Sequence, residues 1–99
     1  MIVYVTVKCR RCGRVRCRDI FISSRDINTI IDRARGFAKA IARSHFLFDH
    51  LSDDEYQRLS RIRGALERKW IEFGGFSAFE AHMEVPELGI AYNLDLGGD

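Results

Sequence analysis

Ninety-nine residues, 46% hydrophobic and 30% charged, make one ordinary globular domain with room for a single core; they exclude a disordered tail or a two-domain protein. No apolar run approaches the roughly 18 residues of a membrane helix or resembles a signal peptide, so an intracellular protein without a membrane span is expected. The net charge of +2 hides a split: residues 1–48 carry eleven Lys+Arg against three Asp+Glu, and residues 49–99 carry five against eleven. A two-sided surface, an anionic partner or head-to-tail self-association would each fit that polarity.

Ile2 to Lys8 alternates Val3, Val5 and Val7 with Tyr4, Thr6 and Lys8, the period of a β-strand. Arg14 to Ile22 predicts a second strand, with Val15 and Cys17 on one face and Arg14, Arg16 and Arg18 on the other; at Asp19 to Ile22 a bulge or burial on both faces would explain the blurred alternation. Arg10-Arg11-Cys12-Gly13 lies between them as a hairpin turn. Ser23 and Asp26 are spaced as a capping box for a first helix, whose apolar stripe runs from Ile27 through Ile41 and His45 to Phe48. Ser52 and Glu55 open a second helix carrying Tyr56, Leu59, Ile62, Leu66, Trp70 and Phe73, with Asp54–Arg58, Arg63–Glu67 and Arg68–Glu72 as surface ion pairs and Gly74-Gly75 as its stop. Phe79 to Val85 and Ile90 to Leu96 alternate again around Pro86 to Gly89. The expected fold is a single α+β domain over 1–99: a hairpin at 1–22, a helical pair at 23–75 and a second hairpin at 76–99. In that order, ββααββ, it makes a two-layer, four-stranded, mostly antiparallel sheet with two helices on one face.

Three cysteines, an odd count, predict reduced thiols. Cys9-x-x-Cys12-Gly13 has zinc-knuckle spacing but supplies half of a tetrahedral site. Cys17, opposite Thr6 and about 10 Å from the knuckle, is read as a small core residue. His45 and His50 have HxxxxH spacing, yet a helix end and its loop must fold back to the hairpin tip for them to join; His45 on the apolar stripe reads as a core histidine, and His82 as solvated. Structurally silent thiols are the expectation, with zinc at Cys9 and Cys12, a Cys9–Cys12 disulfide and an interchain crosslink as alternatives.

Thirteen of the sixteen basic residues are Arg, a side chain suited to forked phosphate contacts, and low Asn and Gln lean towards heat stability. A two-stranded ribbon bearing Arg10, Arg11, Arg14, Arg16 and Arg18 fits nucleic-acid backbone, while an ordinary charged sheet face explains the same residues. Gly36, Ala40 and Ser44, like Ser60 and Gly64, form small-residue ridges that predict close approach of the two helices or, alternatively, of two subunits. There is no GxSxG, HExxH, phosphate loop or Rossmann fingerprint, and Asp53-Asp54-Glu55 reads as helix-dipole acids, so no catalysis and no small-molecule substrate are expected.

The stretch ARSHFLFDHLSDDEYQRLSRIRGALERKW, with KCRRCGRVRCR and the short length, resembles the small orphan proteins of crenarchaeal filamentous and rod-shaped viruses. The resemblance covers about a third of the chain and supplies no site residue. It implies a heat-stable, non-enzymatic binding or virion-associated protein, in the host cytoplasm or the virion. The specific expectation is nucleic-acid backbone binding through the five hairpin arginines; its rival is a protein–protein module such as a homodimer.

Overall fold

A computed structural model describes residues 1–97, so the last two positions of the expected C-terminal hairpin lie outside the described residues. Four strands, β1 (Ile2–Cys9), β2 (Val15–Phe21), β3 (Phe79–Val85) and β4 (Ile90–Leu94), form one antiparallel sheet in the order β2-β1-β3-β4. The central strand β1 sends Val3, Val5, Val7 and Cys9 to one face, all buried, and β3 adds Phe79, Ala81, Met83 and Val85 beside them. Helix α1 (Ile27–Asp49) covers this face with Ile30, Ala34, Ala38, Ala42 and Phe46. Three alanines along that stripe let the helix axis lie close over β1.

The expected pair of helices is corrected to three, giving ββαααββ. The second predicted helix breaks into α2 (Asp53–Ser60) and α3 (Ala65–Phe73). Around the break, Ile62 N–H donates to Leu59 O and Ala65 N–H to Ile62 O, bonds of the tighter three-residue kind, and Gly64 takes φ +76°. A straight helix would keep Ile62 and Trp70 on one stripe. With the turn, Trp70 is buried against Phe46 while Ile62 and all of α2 stay outside the core. Glu67 accordingly pairs with Arg43 of α1 at 2.7 Å rather than with Arg63. The small-residue ridge of α1 does not meet another helix: Gly36, Ala40 and Ser44 are exposed, with open space where a Gly36 Cβ would stand.

Two local expectations also change, while the Ser52 cap of the second helix holds. Asp26, not Ser23, caps α1, accepting from Thr29 N–H at 3.0 Å. Ser52 caps α2, accepting from Glu55 N–H. Neither a bulge nor double burial occurs at Asp19 to Ile22; the register runs regularly to Ile2↔Phe21, and Phe21 is an apolar side chain on the exposed face.

The largest correction concerns the faces of β2. Opposed residues in an antiparallel pair share a face. The pairs Val7↔Arg16 and Val5↔Arg18 therefore put both arginines on the helix side, while Val15 and Cys17 point outward and are exposed. Cys17 is thus not a core residue; its Sγ lies 3.6 Å from Thr6 Oγ1 on the open face.

Candidate metal centre

The hairpin turn is shaped to aim two sulfurs the same way. Cys9 closes β1, Gly13 N–H donates to Cys9 O at 2.8 Å, and Gly13 sits at φ +76°, a conformation that favours glycine. The Arg11 and Cys12 backbone N–H groups turn towards the Cys9 sulfur and favour its thiolate. Two of the five expected nucleic-acid arginines pin this tip in place. Arg10 donates to Ser77 O, and Arg11 Nε donates to Phe73 O at 3.0 Å with its guanidinium over the Phe73 ring.

The C-terminal end of α1 brings the other half. His45 is buried on the sheet-facing side, and His50 is the C-cap, its N–H donating to Phe46 O. Cys9, Cys12, His45 and His50 then present ligand atoms that all lie within 4.8 Å of one another. Cys12 Sγ is 3.2 Å from His45 Nε2, Cys9 Sγ is 3.7 Å from His50 Nε2, and the two Nε2 atoms are 3.0 Å apart. A tetrahedron with zinc–sulfur bonds of about 2.3 Å and zinc–nitrogen bonds of about 2.0–2.1 Å has edges of roughly 3.3–3.8 Å. Those three separations match such edges to within a few tenths of an ångström, while the four-atom set as a whole spans up to 4.8 Å, so an ion would draw the ligands in by about 1 Å at its widest. The helix end does fold back to the tip, and His45 is buried as a member of this cluster.

Asp49 stands behind His45. Its Oδ2 lies 3.0 Å from His45 Nδ1, though the ring N–H is not aligned for a regular hydrogen bond. The same oxygen receives Arg16 at 2.5 Å and Arg14 at 3.4 Å. Arg16's hydrogen bond holds the Asp49 carboxyl below its ordinary range, so it stays ionised beside the imidazole. Burial lowers the His45 pKa despite the opposing pull of Asp49, which favours the neutral ring that a metal needs. Burial raises the Cys9 thiol, with the two backbone N–H groups working against it. Phe73 packs on the His50 ring at 4.6 Å and Phe79 on His45 at 6.0 Å, closing one side. The exposed Cys12 marks the other side, where an open recess of about 320 Å³ runs past Arg14 and Asp49.

The five arginines do not form one array. Arg10 and Arg11 clamp the turn, Arg14 and Arg16 meet Asp49, and Arg18 donates to Cys17 O. His82 is exposed on the outer sheet face, opposite Thr6 and away from the cluster. His45 and His50 are the residues that sequence reasoning set aside, and element lengths could have recovered them. A 23-residue helix spans about 34 Å and an eight-residue strand about 26 Å. For a helix starting at the foot of the hairpin, His45 therefore stands about 27 Å along its axis, level with Cys9 at the end of β1.

The class defined by fold and site is a small α+β domain with a Cys₂His₂ cluster between a β-hairpin and a helix end. Comparison with protein-family models, curated proteins and solved structures returns no match. No described helix is long and apolar enough to cross a membrane.

Proposed function

We propose that this chain is a non-enzymatic, zinc-stapled domain in which Cys9, Cys12, His45 and His50 hold one Zn²⁺ that fastens the hairpin tip to the end of α1. The observation that carries the reading is the convergence of two sulfurs and two imidazole nitrogens within 4.8 Å. Thiolate and imidazole donors suit zinc and disfavour magnesium or calcium. Four protein ligands leave no open coordination position for a substrate, which is the pattern of a structural site. Asp49 lies 3.0 Å behind His45 Nδ1, the place from which carboxylates commonly support metal-bound histidines. Arg14 and Arg16 steady that carboxylate.

Phosphate binding by the hairpin arginines has less support, because four of the five guanidinium groups already have partners within the chain beyond their own strand. The test is elemental analysis of protein purified without chelators, followed by cobalt(II) reconstitution of the apoprotein. One zinc per chain, and a cobalt spectrum with thiolate charge-transfer and tetrahedral d–d bands, are expected. Less than stoichiometric metal, together with apoprotein that takes up neither ion, would sink the proposal.

A further inference from the structure

A groove of about 380 Å³ runs between β2 and α1 on the helix side of the sheet. Arg16 and Arg18 form one wall, Ala40, Ile41 and Ser44 the other, with Phe48, His45 and the Asp49 carboxylate that Arg16 already holds completing the lining. The exposed small side chains of α1 leave room there for the side chains of something laid alongside.

β2 itself is an edge strand. Seven residues run in unbroken register with β1 and contain no proline, and the opposite side has no strand partner among the described residues. An edge row of N–H and C=O groups of this kind, with the Cys17 carbonyl taken by the Arg18 side chain, is a template for strand addition.

Charge says which strand fits. Arg14 and Arg16 share one carboxylate, and Arg18 reaches only the Cys17 carbonyl, with no carboxylate partner among the described residues. The groove wall therefore keeps a positive surplus. A second β2 is a poor occupant, since antiparallel pairing centred on Arg18 sets it against its own copy, and pairing centred on Cys17 sets Arg16 against Arg18. The opposite sheet edge, β4, reads IAYNL and brings no carboxylate. Nucleic-acid phosphates would suit the arginines but would meet the edge carbonyl oxygens, which are acceptors like themselves.

We propose that β2 and this groove bind an extended acidic segment of another protein as a fifth, antiparallel strand. Carboxylates at two alternate positions face Arg16 and Arg18, and apolar side chains between and beside them face Cys17 and Val15 on the outer surface. This goes beyond the zinc reading and does not depend on it.

The probe is a fluorescein-labelled peptide, Tyr-Val-Lys-Glu-Val-Glu-Val, written to oppose Phe21 through Val15 in order. Anisotropy with the protein as purified should show binding at least about tenfold tighter than for the Gln-for-Glu peptide. Amide N-methylation on the pairing edge of the peptide should abolish it, and hydrogen-exchange protection should rise across β2. Arg18→Glu should lose the acidic peptide and gain one with Lys in place of Glu, a rescue that a misfolded variant could not give. Absence of binding up to about 1 mM peptide would overturn the proposal. So would binding indifferent to N-methylation, or tighter binding of a single-stranded oligonucleotide that Arg18→Glu also abolishes.

Discussion

β1 and β2 are adjacent strands of one hairpin, and both alternate in sequence, yet their side chains meet opposite fates. Along β1 every second residue is buried, ending in Cys9 at the cluster. Along β2 no residue is fully buried, the arginines turn towards the helix layer, and Val15 is 57% exposed to water. The difference lies in the neighbours. β1 has a strand on each side and α1 across its inner face, whereas β2 has one strand partner and lies beside the helix rather than beneath it. Alternation establishes that a strand has two faces; what each face meets is decided by elements far away in the chain.

The sharpest way to break the comparison is through its cysteines. Cys9→Ser should abolish stoichiometric zinc and lower the thermal midpoint by many degrees, since structural zinc sites in small peptides contribute about 10 kcal/mol or more to folding. Cys17→Ser on the neighbouring strand should change stability by less than about 0.5 kcal/mol. Equal effects in calorimetry would mean that the cluster holds no metal. The valines give the next contrast. Val5→Ala, in a fully buried position, should cost about 2 kcal/mol in chemical denaturation, and Val15→Ala under about 0.5 kcal/mol.

Asp49→Asn should weaken zinc binding about 10- to 100-fold in chelator competition while leaving the stoichiometry at one. Zinc retention should be complete near neutral pH and fall with acidification, as protons compete for thiolates and imidazoles. Asp49, held low by Arg16, supplies stability that is present above its unfolded-state pKa and lost only as pH falls through its lower folded value. The metal should therefore leave before that carboxylate protonates. Smallest of all, Gly36→Ala should stabilise the fold by about 0.5–1 kcal/mol, because a Cβ there meets open space in a helix interior. Destabilisation in the isolated protein would show that this part of α1 is packed after all.

Much of this architecture can be read before any coordinates exist. The alternation of Val3, Val5 and Val7, the glycine after Cys12, and the Ser52 cap with Glu55 three residues on all carry local physical signals. Other features are set at a distance. Whether Gly64 interrupts a helix depends on Trp70 finding a place beside Phe46. Whether Arg16 faces solvent or Asp49 depends on which side of β1 the helix covers. The CxxC spacing shows half of a ligand set in four letters, while the histidines become legible only when the lengths of strand and helix are laid side by side.

That separation bears on how the protein matures. Cys9 and His50 are 41 positions apart, so a nascent chain exposes the paired thiols well before the imidazoles have been synthesised. An ion captured early would rest on two sulfurs alone, open to exchange with competing thiols and softer metals. On the zinc reading, the nitrogens would close the coordination sphere only once α1 has run back along the hairpin. Metal retention would then depend on a long-range contact: a chain in which the helix has not docked would hold the ion by two sulfurs alone.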